Sequence, residues 1–344
     1  LSRTPRRSGL ELPGPLVAEV ERRLGAAVMS FEERRGGFRA GAGGSEGRDA
    51  GAGAGEGRRF PSGADVSEGR RFPSGVRGVA ALADGGRVFV KAEPADAPFA
   101  ADHRFQAVVA AALPAGVPAP RLLFSCERDG WVLLCSEVAP GRLPHEPWRP
   151  GELAAALELL AICARELTPA PLTGLPTVAG RMAGRCELWH DLATGAASLP
   201  IGAWERDHLP PLAAVERQWA DLVTGDTLLH FDPRFDNIVI DAHGTARLVD
   251  WGRACVGPAW ADLVCLLLES DLGAADPEEV FTAHPLGGQA PPERVDALLV
   301  ALAGYWLGRP RCPRTRRACG NAGSAPAAPR SAGSGPAGRN QGCV

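Results

Sequence analysis

The sequence predicts an α+β protein of two lobes, a small antiparallel β lobe carrying one helix and then a larger, mainly helical lobe. Three observations predict it. Between residues 76 and 136, short β-rich runs alternate with Gly- and Pro-containing turns around a single helical stretch. From Pro150 onward, apolar residues recur mostly at helical spacing. Inside that second half one hairpin stands apart, in residues 228–252, LLHFDPRFDNIVIDAHGTARLVDWG.

Taken in order, residues 1–10 are basic, without pattern, and read as a disordered start. Glu11–Leu24 carries Leu16, Val17, Val20 and Leu24 at helical spacing and stops at Gly25, a fitting C-cap. Ala26–Phe31 is the first expected strand and leads to Arg35-Gly36-Gly37-Phe38. Residues 39–74 are rich in Gly, Ala, Glu and Arg and nearly free of aliphatic side chains. EGRRFPSG occurs there at Glu56–Gly63 and again at Glu68–Gly75, which reads as a low-complexity insertion in a loop. Val76–Leu82 and Arg87–Lys91 are strands joined by Asp84-Gly85-Gly86. Ala100–Leu113 is a helix closed by Pro114, and Arg121–Ser125 and Trp131–Ser136 complete five strands.

Glu152–Leu167 is a long helix with Cys163 on its core face. Residues 169–199 read as loop-rich, with Trp189 and His190 either packing or lining a cleft. Leu212–Leu222, Leu263–Leu268, Pro277–Phe281 and Arg294–Leu307 are further helices. Beyond Gly308 there is no acidic residue and no apolar periodicity, which fits a disordered basic tail or an out-of-frame reading of the gene's end. The expected division is therefore 1–136, 137–307 and 308–344.

Composition excludes several classes. A net charge of −3 gives no basic surplus for a nucleic-acid partner. Nine cysteines, an odd number with no C-x-x-C pair, read as reduced residues of a cytoplasmic protein. No apolar run approaches a membrane span, and no signal-peptide pattern opens the chain. No H-E-x-x-H, G-x-S-x-G or G-x-x-x-x-G-K-[ST] occurs. His145, His190 and His208 accordingly read as surface or cleft residues. Lys91 is the only lysine, and Asn237 the only asparagine before the tail.

The 228–252 stretch carries the chemistry. Asp232 and Asn237 precede the hairpin runs Ile238–Ile240 and Ala246–Val249, and Asp250 leaves the far end. A hairpin brings its ends together, so Asn237 and Asp250 should converge. An amide oxygen and a carboxylate suit Mg²⁺, which prefers few protein ligands plus substrate phosphates. Asp232, close by, is left to accept a proton, an arrangement suited to phosphoryl transfer. Lys91, ending its strand, is either a solvated strand end or a phosphate ligand.

His230-x-Asp232-x-x-x-x-Asn237 followed by Asp250-x-Gly252 resembles the catalytic and metal-binding loops of the protein-kinase-like superfamily. Trp251 within D-x-G and the later Trp260-Ala-Asp262 are closer to the aminoglycoside phosphotransferase family, in an actinobacterial-type member. The resemblance implies a protein-kinase-like fold and an ATP- and Mg²⁺-dependent phosphotransferase, a monomer acting on a hydroxyl of a small molecule, aminoglycoside-like or other. It implies Asp232 as catalytic base, Asn237 and Asp250 as metal ligands, and Lys91 on the α/β-phosphates. Main-chain groups of Glu137 to Ala139 would hold the adenine edge. Gly36 and Gly37 would open the turn covering the phosphates, with the 39–74 insertion inside that turn. His230 would hold loop backbone and Asp262 would brace it.

One position departs from the pattern. The helix residue expected to pair with the lysine is a glutamate, and here it is Gln106, which offers a hydrogen bond without charge attraction. Asp102, a turn earlier, is a second candidate. This departure carries the alternative expectation of a catalytically impaired nucleotide-binding protein of the same fold. For a polycationic acceptor, Asp236, Glu187, Asp191, Glu205 and Asp207 are candidate contacts, and solvated surface charge explains them equally well.

Overall fold

The computed structural model of the chain describes residues 12–34 and 75–308. The small lobe opens with helix α1 (Gly14–Leu24), whose Leu16, Val17 and Val20 are buried along one face. Gly25 ends it at φ 70°, a left-handed conformation that favours glycine, with its N–H on the Glu21 carbonyl. Strands β1 (Val28–Glu33), β2 (Val76–Leu82) and β3 (Arg87–Pro94) follow. Helix α2 (Ala100–Ala112) and strands β4 (Leu122–Arg128) and β5 (Trp131–Glu137) complete the lobe. The sheet order is β1-β2-β3-β5-β4, and every pairing is antiparallel.

Strand periodicity assigns the two faces of this sheet. Val88, Val90 and Ala92 of β3 and Leu133 and Cys135 of β5 join α1 in one apolar cluster. Val132 and Leu134, one step out of phase on β5, pack with Ala100 and Ala107 of α2. Lys91, out of phase with Val90 and Ala92, therefore emerges on the α2 side.

The larger lobe begins after the Glu137–Gly141 crossing. Gly141, at φ 118°, runs so close to strand β7 (Ile238–Ile240) that an added Cβ would lie 2.1 Å from the Ile240 carbonyl oxygen. Arg142 and Ile240 exchange both main-chain hydrogen bonds, at 3.0 and 2.8 Å, stitching the crossing to that strand. Glu152 at the start of helix α3 (Pro150–Glu166) accepts from the His145 and Arg149 main chain and faces the Arg142 guanidinium. Cys163 is buried in the α3 core face, as expected.

The 169–199 segment is more helical than expected, holding α4 (Val178–Met182) and α5 (Leu188–Thr194). Both are too short to show periodicity. Trp189 is packing, buried with its Nε1 donating to the Val300 carbonyl at 2.9 Å. After α6 (Ala203–Asp207), the helix expected at 212–222 is split into α7 (Leu209–Glu216) and α8 (Trp219–Leu222). The break follows Glu216, whose buried carboxylate accepts the Trp189 and His190 main-chain N–H groups. That tertiary contact outweighs local propensity.

Two three-residue strands, β6 (Thr227–Leu229) and β9 (Cys255–Gly257), pair antiparallel on either side of the hairpin of β7 and β8 (Ala246–Leu248). Helices α9 (Ala261–Leu268), α10 (Pro277–Ala283), α11 (Pro285–Gly288) and α12 (Pro292–Leu307) close the lobe. Its two apolar clusters surround α3 with the hairpin, and α9 with α12. Among the described residues no helix is long and apolar enough to cross a membrane.

Candidate active site

The hairpin delivers the convergence expected of it. Ile238 pairs with Leu248 and Ile240 with Ala246, around a turn held by Asp241, whose carboxylate accepts from His243 N, Thr245 N and Arg247. At the open end Val249 N donates to the Asn237 carbonyl at 2.9 Å, so Asn237 and Asp250 leave the hairpin side by side.

Asp232 and Asn237 are joined directly. The Asn237 amide nitrogen donates to the Asp232 carbonyl at 2.9 Å and to Asp232 Oδ2 at 3.1 Å. With its nitrogen committed there, the buried Asn237 turns its amide oxygen to any other partner. Burial pushes the Asp232 carboxyl up to about 6, opposed by the nearby Arg234 cation. Arg234 Nε stands 3.0 Å from Asp232 Oδ1, an ion pair whose N–H is not aimed for a hydrogen bond. Asp236 Oδ2 accepts from Nη2 of the same guanidinium at 3.4 Å.

Asp250 meets Lys91 across the lobes. Lys91 Nζ donates to Asp250 Oδ1 at 2.8 Å and to Gln106 Oε1 at 2.8 Å. Burial opposes ionisation of Asp250, and the Lys91 cation outweighs it, holding the carboxyl well below its usual range. Gln106 thus occupies the position expected of it, and Asp102 is not a partner of Lys91.

Two non-glycine residues here hold positive φ, Phe231 at 59° and Asp250 at 67°. Such conformations cost about 1–3 kcal/mol each and persist where surroundings over-determine them. The surroundings do so. Asp262 Oδ2 and Oδ1 accept the N–H groups of His230 and Phe231, each at 2.8 Å. Asp262 is fully enclosed, and burial pushes its carboxyl up to about 6 despite those two bonds. His230, also enclosed, has Nε2 2.9 Å from the Val249 carbonyl and its ring edge-on to Trp251. Burial lowers its pKa to about 4, so it is the neutral imidazole that donates to Val249.

At the crossing, the Glu137 N–H is taken by the Arg121 carbonyl at 2.9 Å, and its side chain pairs with Arg121 in the open. Sequence reasoning placed the Glu137 main chain in the site without seeing this bond. Among the described residues, Val138 and Ala139 make no main-chain hydrogen bond. Gly36 and Gly37 lie outside the described residues. Glu187, Asp191, Glu205 and Asp207 are on or near α5 and α6, and Glu187 borders a cavity of about 210 Å³ with Cys186, His190, Glu216 and Arg217. None of Lys91, Asp232, Asn237 or Asp250 lines that cavity. The sequence reading missed Arg234, although its place between Asp232 and Asp236 was the signal that could have found it.

Among the described residues no three His, Cys, Asp or Glu side chains gather as a metal cage. An oxygen pair from Asn237 and Asp250 nevertheless fits Mg²⁺, which draws its other ligands from phosphate and water.

A five-stranded sheet with two helices, joined to a helical lobe bearing this hairpin, defines the class of kinase-like two-lobed proteins. The chain belongs to the phosphotransferase enzyme family, whose model matches residues 68–298. The family is one of phosphotransferase enzymes. No curated protein matches it. Among solved structures it is similar to an aminoglycoside phosphotransferase from Streptomyces rimosus in complex with ADP and streptomycin (22% identity, 67% of this chain and 90% of that one, TM-score 0.46). It is also similar to a macrolide 2'-phosphotransferase from Brachybacterium faecium (18%, 68% and 80%, TM-score 0.46). A third is a putative fructosamine-3-kinase from Thermobifida fusca (19%, 84% and 98%, TM-score 0.44). These likenesses identify no acceptor for this chain.

Proposed function

We propose that the chain transfers the γ-phosphoryl group of ATP to a hydroxyl of a small molecule, with Mg²⁺ held by Asn237 and Asp250. One observation carries the reading: Asn237 holds Asp232 at 3.1 Å and, through its carbonyl, Val249 at 2.9 Å, and the next residue, Asp250, holds Lys91 of the small lobe at 2.8 Å. When bound, Mg²⁺ offsets the charge developing on the phosphate oxygens. Lys91 exchanges its contact with Asp250 for the α/β-phosphates. Val138 and Ala139, with main-chain groups free, receive the adenine edge at a crossing between residues 1–136 and 137–307.

Asp232 orients the acceptor hydroxyl and takes its proton on a carboxylate oxygen, while the Asn237 amide and Arg234 hold that carboxylate in place. His230 and Asp262 move no proton. They fix the strained backbone at Phe231, just before the base, and at Asp250, just after Val249. Little covalent chemistry falls to the protein, so placement of these groups is the mechanism.

The neutral Gln106 favours a second reading, an impaired nucleotide-binding protein of the same fold. One assay separates the two: transfer from γ-labelled ATP to a panel of amino-sugar, macrolide and amino-alcohol hydroxyls, with and without Mg²⁺. Mg²⁺-dependent label in an acceptor supports the first reading. Mg-ATP binding without label in any acceptor supports the second.

A further inference from the structure

Arg181, on α4, has no part in the chemistry above, yet it joins three segments that do. Its Nη2 donates to the carbonyls of Ala254 at 2.9 Å and Gly252 at 3.4 Å, and its Nε to Ala254 at 3.2 Å. The guanidinium carbon lies 4.4 Å from the centroid of the Phe105 ring, a cation–π distance. Among the described residues no carboxylate stands within ion-pair distance of it. A half-buried cation bound only to carbonyls and a ring gives up hydration without an acid to compensate, which calls for a reason.

The reason lies in what it touches. Gly252 and Ala254 directly follow Asp250 in the chain, and Phe105 directly precedes Gln106. One side chain of the larger lobe thereby links the segment bearing Asp250 to the helix of the small lobe. A second side-chain link between those two is Lys91, shared between Asp250 and a neutral amide. An ammonium holds an amide less firmly than a carboxylate, so Lys91 secures α2 weakly. A Cβ on Gly252 would lie 4.0 Å from Gln106 Oε1 and from the Asp102 carbonyl oxygen, so α2 sits directly on this segment.

We propose that Arg181 is a positioning residue that clamps α2 onto residues 250–254, doing through Phe105 and two carbonyls what a carboxylate at position 106 would do through Lys91. The inference rests on the reading of Lys91 and Asp250 as nucleotide and metal groups. It makes Arg181 a determinant of nucleotide affinity in a chain that lacks the usual charge on α2.

The test titrates Mg-ADP into the full chain by calorimetry. Arg181→Met keeps length and apolar bulk, and should weaken binding about tenfold, or 1.4 kcal/mol. Arg181→Lys should lose nearly as much, because an ammonium lacks the fork that spans both carbonyls and the ring. Phe105→Leu should give an intermediate loss. The decisive comparison adds Gln106→Glu, which gives Lys91 a carboxylate on α2. It should restore binding in the R181M chain and change affinity far less in the unsubstituted one, a coupling that a merely stabilising arginine would not show. R181M binding Mg-ADP as tightly as the unsubstituted chain overturns the inference. So does a Q106E effect of equal size in both backgrounds. Should R181M not fold, the same cycle on F105L decides. If the unsubstituted chain binds no Mg-ADP, the functional reading itself fails and the inference with it.

Discussion

Lys91 is met from two sides by unequal partners. From the catalytic stretch Asp250 reaches it at 2.8 Å with a full charge, on backbone tied through Val249 to both Asn237 and His230. From α2, Gln106 reaches it at the same distance with no charge, on a helix held mainly by packing and by Arg181. The first region holds its geometry through hydrogen bonds within about twenty residues of chain plus one buried aspartate. The second depends on contacts made from distant parts of the sequence. Damage to the first should therefore appear in the chemical step or in global stability, and damage to the second in nucleotide affinity.

The largest effect should come from Asp232→Asn, which removes the proposed base while leaving Asn237 and Asp250, the proposed metal ligands, in place. Phosphoryl transfer should fall by ~10²–10⁴-fold with Mg-ATP binding nearly intact. An equal loss of both, measured by turnover beside calorimetry, breaks the separation drawn above. Lys91→Met should do the reverse. Loss of a charge-assisted contact of ~1.5–3 kcal/mol weakens nucleotide binding by roughly tenfold to a hundredfold. A K91M chain with unchanged nucleotide affinity would remove Lys91 from the site.

Asp262→Ala acts on the scaffold of the first region. It leaves two buried N–H groups without an acceptor, a cost on the order of 2–3 kcal/mol in urea denaturation. Burial raises the folded carboxyl from 3.8 to about 6. A raised folded value means that this group's stabilising contribution is complete below the unfolded value and is lost as pH rises through the folded one. The cost of D262A should thus be greater near about pH 4.5 than near about pH 7.5. A cost that grows with pH would contradict the burial of this charge. The smallest effect is expected for Arg121→Ala. Its ion pair with Glu137 stands in solvent, so Tm and nucleotide affinity should both stay within error.

How far the molecule was legible depended on how local each feature is. The hairpin at 238–248, the five strands and the placing of Asn237 beside Asp250 were readable, because alternation and turn chemistry act over a few residues. Strands β6 and β9 were not, since three residues carry no pattern and their pairing spans the whole catalytic stretch. The break between α7 and α8 was hidden for a related reason, as Glu216 answers to main-chain groups of α5. Arg234 stands between Asp232 and Asp236 in the sequence, a signal left unread, and the fold sets its guanidinium against both acids.

By itself the sequence determined the order of elements, the D-x-x-x-x-N…D-x-G spacing and the single lysine, all properties of short stretches of chain. Only the tertiary structure decided that Glu216 takes the main-chain N–H groups of Trp189 and His190, and that Arg181 bridges Phe105 to the carbonyls after Asp250. Each of these joins segments tens of residues apart. Such contacts follow from how helices and sheet pack, and no local periodicity records them.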